Sequence, residues 1–319
     1  MLRSFFIYLS QAAWAQRIVS SRKFAWRAAS RFVPGNTVQE AVRAAAELNA
    51  KGILASLNHL GEFTSTREEA TRATREILDL LDAVDQSGTR ANISIKLTQI
   101  GLGLDEALCE QNLEQILTRA GKSGNFVHID MEDSPAVDKT LRQYHLARKK
   151  GHANLGLVMQ AYLYRAEKDV QELTSERAQI RLVKGAYKEP PAVAFPKKAD
   201  VNANYDRLAE ILIEKAKAGG APQLSADGRN PPLPAIGSHD ERRLVHAKEY
   251  AEKLGLPKGA LEFQMIYGIR RDLQEKYSQA GYPVRVYIPY GTHWYPYYMR
   301  RLAERPANAW FFLSNLFRR

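Results

Sequence analysis

From Ile53 onward the chain repeats one pattern: a short run of aliphatic and β-branched residues, then a longer stretch with apolar residues every three to four positions. That rhythm constrains the fold more than any single residue does, because alternating strand and helix periods imply a parallel sheet covered by helices. The runs read as strands are Ile53–Leu57, Ile93–Leu97, Phe126–Asp130, Leu155–Met159, Ile180–Lys184, Leu233–Gly237, Leu261–Met265 and Val284–Ile288. Helical periodicity covers Ser65–Val84, Leu104–Ala120, Ser134–Lys150, Ala203–Ala218, Glu241–Leu254 and Ile269–Gln279, and more weakly Tyr164–Gln179. Leu233–Gly237 is the weakest strand, since prolines stand beside it.

Eight strand-and-helix units in 319 residues suit a (β/α)8 TIM barrel. An open, doubly wound sheet is the alternative, but no strand runs into G-x-G-x-x-G or a P-loop. The expected organisation is a barrel domain over residues 37–319 with a C-terminal helix, preceded by a basic helical segment over residues 1–36. "AGGAPQLSADGRNPP" (Ala218–Pro232) interrupts the rhythm and reads as a surface loop.

The single cysteine, Cys109, excludes an internal disulfide and a cysteine-rich metal centre, and no metal is expected. No apolar run reaches the length of a membrane span. The net charge of +11 favours an anionic ligand or surface. Met1 to Gln39 carries no acidic residue but holds Arg3, Arg17, Arg22, Lys23, Arg27 and Arg31. The plainest reading of that segment is a helix with a solvated basic face. A mitochondrial targeting peptide and a lipid-seeking helix share the composition.

In a barrel of this kind the chemistry sits where strands end at the carboxyl face. Those ends carry Glu62, Lys96, Asp130, Gln160, Arg181, Lys184, Tyr187, Ser238, His239, Gln264 and Tyr287. One polar strand end has a bland explanation in local pairing; a whole set points to a ligand site. Lys96, Arg181, Lys184, Arg300 and Arg301 outweigh Asp130 and Glu62, so the ligand should be an anion, and paired guanidiniums match a carboxylate or phosphate. Arg300 and Arg301 lie in "YGTHWYPYYMRRLAER", one turn beyond Tyr297. A basic helix face would explain the pair alone, but not its place beside five aromatic residues.

"ISIKLTQIG", "HIDMEDS", "VMQAYLYR", "IRLVKGAYKEP", "EFQMIYG" and "VRVYIPYGTHWYPYYMRRLAERP" together resemble the proline dehydrogenase family, from about Thr37 to the C-terminus and in the family's order. The resemblance implies a (β/α)8 barrel holding FAD non-covalently, oxidising L-proline to 1-pyrroline-5-carboxylate and passing electrons to a membrane quinone. By motif, Asp130 and Arg181 would be catalytic. Lys96, Arg300 and Arg301 would hold the carboxylate, and Tyr187, Tyr287 and Tyr297 would wall the ring. Glu62 would gate the site by pairing with the first arginine. Met131, Gln160, Val183, Lys184, Gly185, Ser238 and His239 would contact the flavin; Ser238 stands where relatives usually carry Thr. The implied location is the cytoplasm, peripheral on the inner face of the membrane, or the matrix side in a mitochondrion.

Two other classes compete. Lys184 at a strand end is also where a Schiff-base aldolase would keep its amine. The charge and the aromatics would suit a nucleic-acid module, although the cations gather at strand ends rather than along one helix, and no nucleic acid is expected as partner.

Overall fold

The eight apolar runs pair in sequence order, each parallel to the next, and the last returns to the first to close a barrel. The strands are β1 (Leu54–His59), β2 (Ala91–Ile95), β3 (Val127–Ile129), β4 (Leu155–Gln160), β5 (Gln179–Val183), β6 (Pro234–Gly237), β7 (Glu262–Ile266) and β8 (Val284–Tyr290). This computed structural model describes residues 23–61 and 63–304, with residues 6, 8, 9, 12 and 14 of the N-terminal segment. Closure is direct: Ser56 of β1 lies opposite Tyr287 of β8.

Successive side chains of a strand point to opposite faces. Ala55, Leu57, Ile93, Ile95, Val127, Ile129, Leu157, Ile180, Leu182, Ile236, Phe263 and Val286 lie on the helix-covered face and are buried in one continuous core. The alternate residues line the barrel interior. There the chain places Ser56, Asn58, Asn92, Ser94, His128, Gln179, Arg181, Glu262, Gln264 and Arg285, all buried. Barrel interiors are usually filled by branched aliphatic side chains; this one is polar, so its stability depends on pairing each group.

Helix starts follow local capping chemistry. Thr37 and Glu40 cap each other's backbone at the start of Val38–Asn49. Asp105 accepts from the amides of Ala107 and Leu108 at the head of Glu106–Lys122, and Thr66 caps Arg67–Ser87. The stretch expected as one helix from Ser134 begins as a short 3-10 turn, Ser134–Ala136, with Pro135 in the first turn where its missing N–H is tolerated, and continues as Val137–Lys149.

Two features differ from the sequence reading. The helix after β8, Trp294–Glu304, does not take a place in the outer ring. Val38–Asn49, which precedes β1, packs between β1 and β8 and fills that slot. Trp294–Glu304 instead crosses above the strand ends and packs with Lys23–Ala29, Phe32, Val33, Leu60 and Ile269 in a second apolar cluster. Leu60 follows β1 and Ile269 follows β7, so this cluster roofs the carboxyl mouth. The loop 219–232 is also more than a surface loop. It folds across the amino end of the barrel, where the carbonyl of Gly228 accepts from Arg285 at 2.9 Å and that of Arg229 from Asn92 at 3.3 Å. A polar interior needs those oxygens, since the strands' own groups cannot satisfy it.

Candidate active site

At the mouth, the inward-facing parity of four strands converges on one carboxylate. β2 ends at Ile95 and β3 at Ile129, which leaves Lys96 and Asp130 at the rim. Asp130 Oδ1 accepts from Arg181 Nη1 at 3.0 Å. Its Oδ2 accepts from the Tyr287 hydroxyl at 2.7 Å and from Lys96 Nζ at 3.3 Å. Arg181 Nη2 donates to Ser94 Oγ at 3.0 Å, which lies 2.9 Å from Ser56 Oγ. The guanidinium also lies 5.5 Å over the Tyr287 ring.

Two cations share one carboxylate, so the cluster is positive in a place sheltered from water. Burial pushes the Tyr287 hydroxyl well above the usual phenol range, and Asp130 adds to the shift; Tyr287 therefore stays a donor. Burial lowers the Arg181 pKa, and Asp130 opposes that. Asp130 already accepts three hydrogen bonds, which fixes it in place.

Gln160, at the end of β4, donates to the Glu132 carbonyl at 2.7 Å. The Glu132 carboxylate is fully buried and accepts from the amide and hydroxyl of Thr98. Met131 is buried between Asp130 and Glu132 in sequence. The end of β5 runs into Lys184 and Gly185. Gly185 has φ +117, and a side chain there would meet the Tyr162 ring at 2.5 Å, so only glycine fits. Lys184 Nζ donates to Asn202 Oδ1 and Asp240 Oδ2, both at 2.6 Å. Burial raises the Asp240 pKa, but the hydrogen bond and charge of Lys184 carry it below the usual carboxylate value. Asp240 also caps the helix Glu241–Lys253, and its amide donates to Ser238 Oγ at 3.1 Å. His239 Nε2 accepts from the Ile266 amide at 2.9 Å, which puts the proton of a neutral ring on Nδ1.

On the roof, Tyr297 and Arg301 are buried, with the guanidinium 5.2 Å over the Tyr297 ring. Arg300 is half-buried on the same helix. Tyr297 lies near enough to Tyr287 to add to the shift of its hydroxyl. Tyr187 is half-buried in the loop after β5, its backbone bonded to the Tyr162 phenol. Glu62 lies outside the described residues.

Lys96, Asp130, Arg181 and Tyr287 are thus one connected network, with Tyr297 above it. Lys184 and Ser238 are joined through Asp240. Ser94, Ser56, Glu132 and Asp240 were not singled out from the sequence. Ser56 and Ser94 had a signal: the polar–apolar alternation of "LASLNH" and "ANISI" inside strands that are covered on their outer face.

A family model described as proline dehydrogenase matches residues 41–313. The chain is 40% identical over 300 residues to a proline dehydrogenase of Deinococcus radiodurans, covering 93% of this chain and 92% of that one. It is 36% identical over 320 residues to proline dehydrogenase 1 of Bacillus subtilis, covering 100% of both. Among solved structures it resembles proline utilization A of Bdellovibrio bacteriovorus, in a form inactivated by N-propargylglycine, at 26% identity and a TM-score of 0.78. That match covers 88% of this chain and spans about a third, 33%, of the larger protein. A closed eight-stranded barrel, a polar cationic mouth and near-full-length similarity agree: the chain belongs to the proline dehydrogenase family.

Proposed function

We propose that this oxidoreductase converts L-proline to 1-pyrroline-5-carboxylate, the first step of proline catabolism, as an FAD-dependent enzyme whose electrons pass to a membrane quinone. The observation that carries the reading is the Lys96–Asp130–Arg181–Tyr287 network beneath a roof that bears Tyr297, Arg300 and Arg301. Aromatic walls suit an apolar five-membered ring, and guanidiniums suit its carboxylate.

The donor set fits a flavin dinucleotide. Arg181 and Lys184 offer positive charge, Ser238 a hydroxyl, and Gly185 a backbone held at positive φ. In this reading Met131, Gln160, Val183, Lys184, Gly185, Ser238 and His239 hold the cofactor. FAD bound there would take the hydride from the ring carbon next to the proline nitrogen and later give its electrons to quinone. Arg300, Arg301 and Lys96 bind and orient the carboxylate, which fixes the carbon that must react. Tyr187, Tyr287 and Tyr297 exclude water from the ring. Arg181 places a cation where negative charge grows. Asp130, held by three donors, aims Arg181, Lys96 and Tyr287. Glu62 is assigned as the gate on its motif alone.

The aldolase alternative asks for an amine poised to attack a carbonyl, whereas Lys184 spends two hydrogens tethering Asn202 and Asp240. Residues 1–36 are proposed to touch anionic lipid, where the quinone resides; among the described residues no helix is long and apolar enough to cross a membrane. The test is to measure flavin content and proline-dependent reduction of a dye. Stoichiometric FAD with proline-dependent turnover supports the reading. A protein that takes up no FAD on reconstitution and reduces no dye with proline would refute it.

A further inference from the structure

The barrel interior, from the level of Asp130 down toward the floor, holds buried polar atoms without a well-formed hydrogen bond to the protein. Asn58 Oδ1, Asn92 Oδ1, Gln179 Oε1, Arg181 Nε and both ring nitrogens of His128 are buried without a well-formed hydrogen bond. All five residues are at least nine-tenths buried, and all share the inward parity of β1, β2, β3 and β5. The amide orientations are fixed by their partners. Asn58 Nδ2 donates to the Ser94 carbonyl, Asn92 Nδ2 to that of Arg229, and Gln179 Nε2 to that of Pro232. A carbonyl oxygen accepts only, so each amide must turn its own oxygen the other way, into the barrel.

The balance of donors and acceptors then points to a ligand. A neutral His128 supplies one N–H and one acceptor, and Arg181 Nε–H is a second donor. The His128 N–H is turned to the Gln179 side chain, which leaves Arg181 Nε–H against the amide oxygens of Asn58 and Asn92 and the second ring nitrogen of His128. Gly156, opposite both His128 and Gln179, makes room for the Gln179 side chain, since a Cβ there would come within 2.4 Å of Gln179 Oε1. Water, with two donors and two acceptors, meets such a deficit, and buried waters typically make about three hydrogen bonds to buried polar groups of this kind.

We propose that the barrel interior around Arg181 holds ordered internal water, and that His128 is a positioning residue that anchors this water against Arg181 Nε. The water braces the face of the guanidinium turned away from Asp130 and Ser94, so that Arg181 keeps its aim at the mouth. Burial, together with the charges of Arg181 and Arg285, lowers the His128 pKa far enough to keep the ring neutral, with one nitrogen free to accept. The second half of the proposal rests on the reading of Arg181 as a group beside the reacting centre.

Two experiments test it on the FAD-loaded full chain. A high-resolution crystal structure is expected to show ordered water within hydrogen-bond distance of Arg181 Nε and of a His128 nitrogen; a dry interior overturns the proposal whatever the substrate proves to be. His128→Leu is expected to slow flavin reduction by proline by roughly tenfold or more, as losing a hydrogen bond to a charged group would. Its KM, FAD content and melting temperature should stay near wild type, and His128→Gln should recover much of the rate. A wild-type rate in His128→Leu overturns the positioning role. So does a loss shared equally by His128→Gln and accompanied by a lower melting temperature, which would mark a merely structural histidine. If wild type itself does not oxidise proline, the functional reading fails, and the crystallographic arm still decides the water.

Discussion

The barrel carries a buried arginine–carboxylate pair at each end, and the two are built differently. At the floor, Arg285 and Glu262 are both fully buried. Arg285 donates from Nε and Nη2 to the two oxygens of Glu262 at 2.8 and 3.0 Å, and from Nη1 and Nη2 to the carbonyls of Ala55 and Gly228. At the mouth, Arg181 meets Asp130 through one nitrogen and Ser94 through another, and its Nε has no protein partner. Asp130 is shared among three donors. Burying a charge pair costs several kcal/mol per ion, roughly, unless geometry and extra hydrogen bonds offset it. The floor pair meets that condition within the protein and closes the barrel. The mouth pair leaves positive charge over, which is what a site for an anion requires.

Breaking the floor pair should give the largest effect, and on stability. Glu262→Ala leaves Arg285 buried without its counter-charge and should destabilise the fold by about 3–5 kcal/mol, read by urea denaturation, while the folded fraction keeps a normal KM for proline. Loss of activity at unchanged stability would mean that the floor belongs to the site and that the contrast is wrong.

The roof comes next, and there binding is the readout. Arg300→Met or Arg301→Met should raise KM about 30-fold or more, since losing one partner of a desolvated charge contact costs about 2–5 kcal/mol, with the flavin retained. Tetrahydrofuran-2-carboxylate gives a check without turnover. If it perturbs the flavin spectrum equally in wild type and both variants, the arginines do not read the carboxylate.

Gly228→Ala sharpens the floor side. Gly228 has φ +73, and a side chain there would meet Leu54 at 2.6 Å and Arg90 at 3.1 Å. Strain alone should cost about 1–2 kcal/mol, seen in the melting temperature, with turnover unchanged. A turnover defect would show that the floor loop steers the mouth. The smallest effect is a control on the outer ring. Asp105→Ala removes a helix cap and should lower the melting temperature slightly without altering either end of the barrel.

Much of this was legible in the sequence, for a physical reason. Parallel strands covered by helices must be apolar on the outer face, so all eight runs stand out, Leu233–Gly237 included, displaced by at most a few residues at their ends. The roof helix was legible in kind but not in place. Nothing in the apolar period of Trp294–Glu304 says whether it packs on the ring or over the mouth; that is decided by Val38–Asn49 occupying the slot first. The rim residues were legible because strand ends are where polar groups change from liability to use. The interior was not read, although Ser56, Ser94, His128 and Arg285 alternate with apolar neighbours. A lone polar residue inside a strand looks like noise until its partners on other strands are known. The floor loop was hidden for the same reason: its task is set by Arg285, on a strand more than fifty residues further along the chain.

The central claim is that the mouth holds a flavin reduced by proline, and the visible spectrum of the purified protein tests it most directly. The expected protein is yellow, and anaerobic L-proline bleaches the flavin bands, while Arg301→Met requires far more proline for the same bleaching. A protein that stays colourless after reconstitution with FAD, or whose flavin bands persist in excess anaerobic proline, would contradict it.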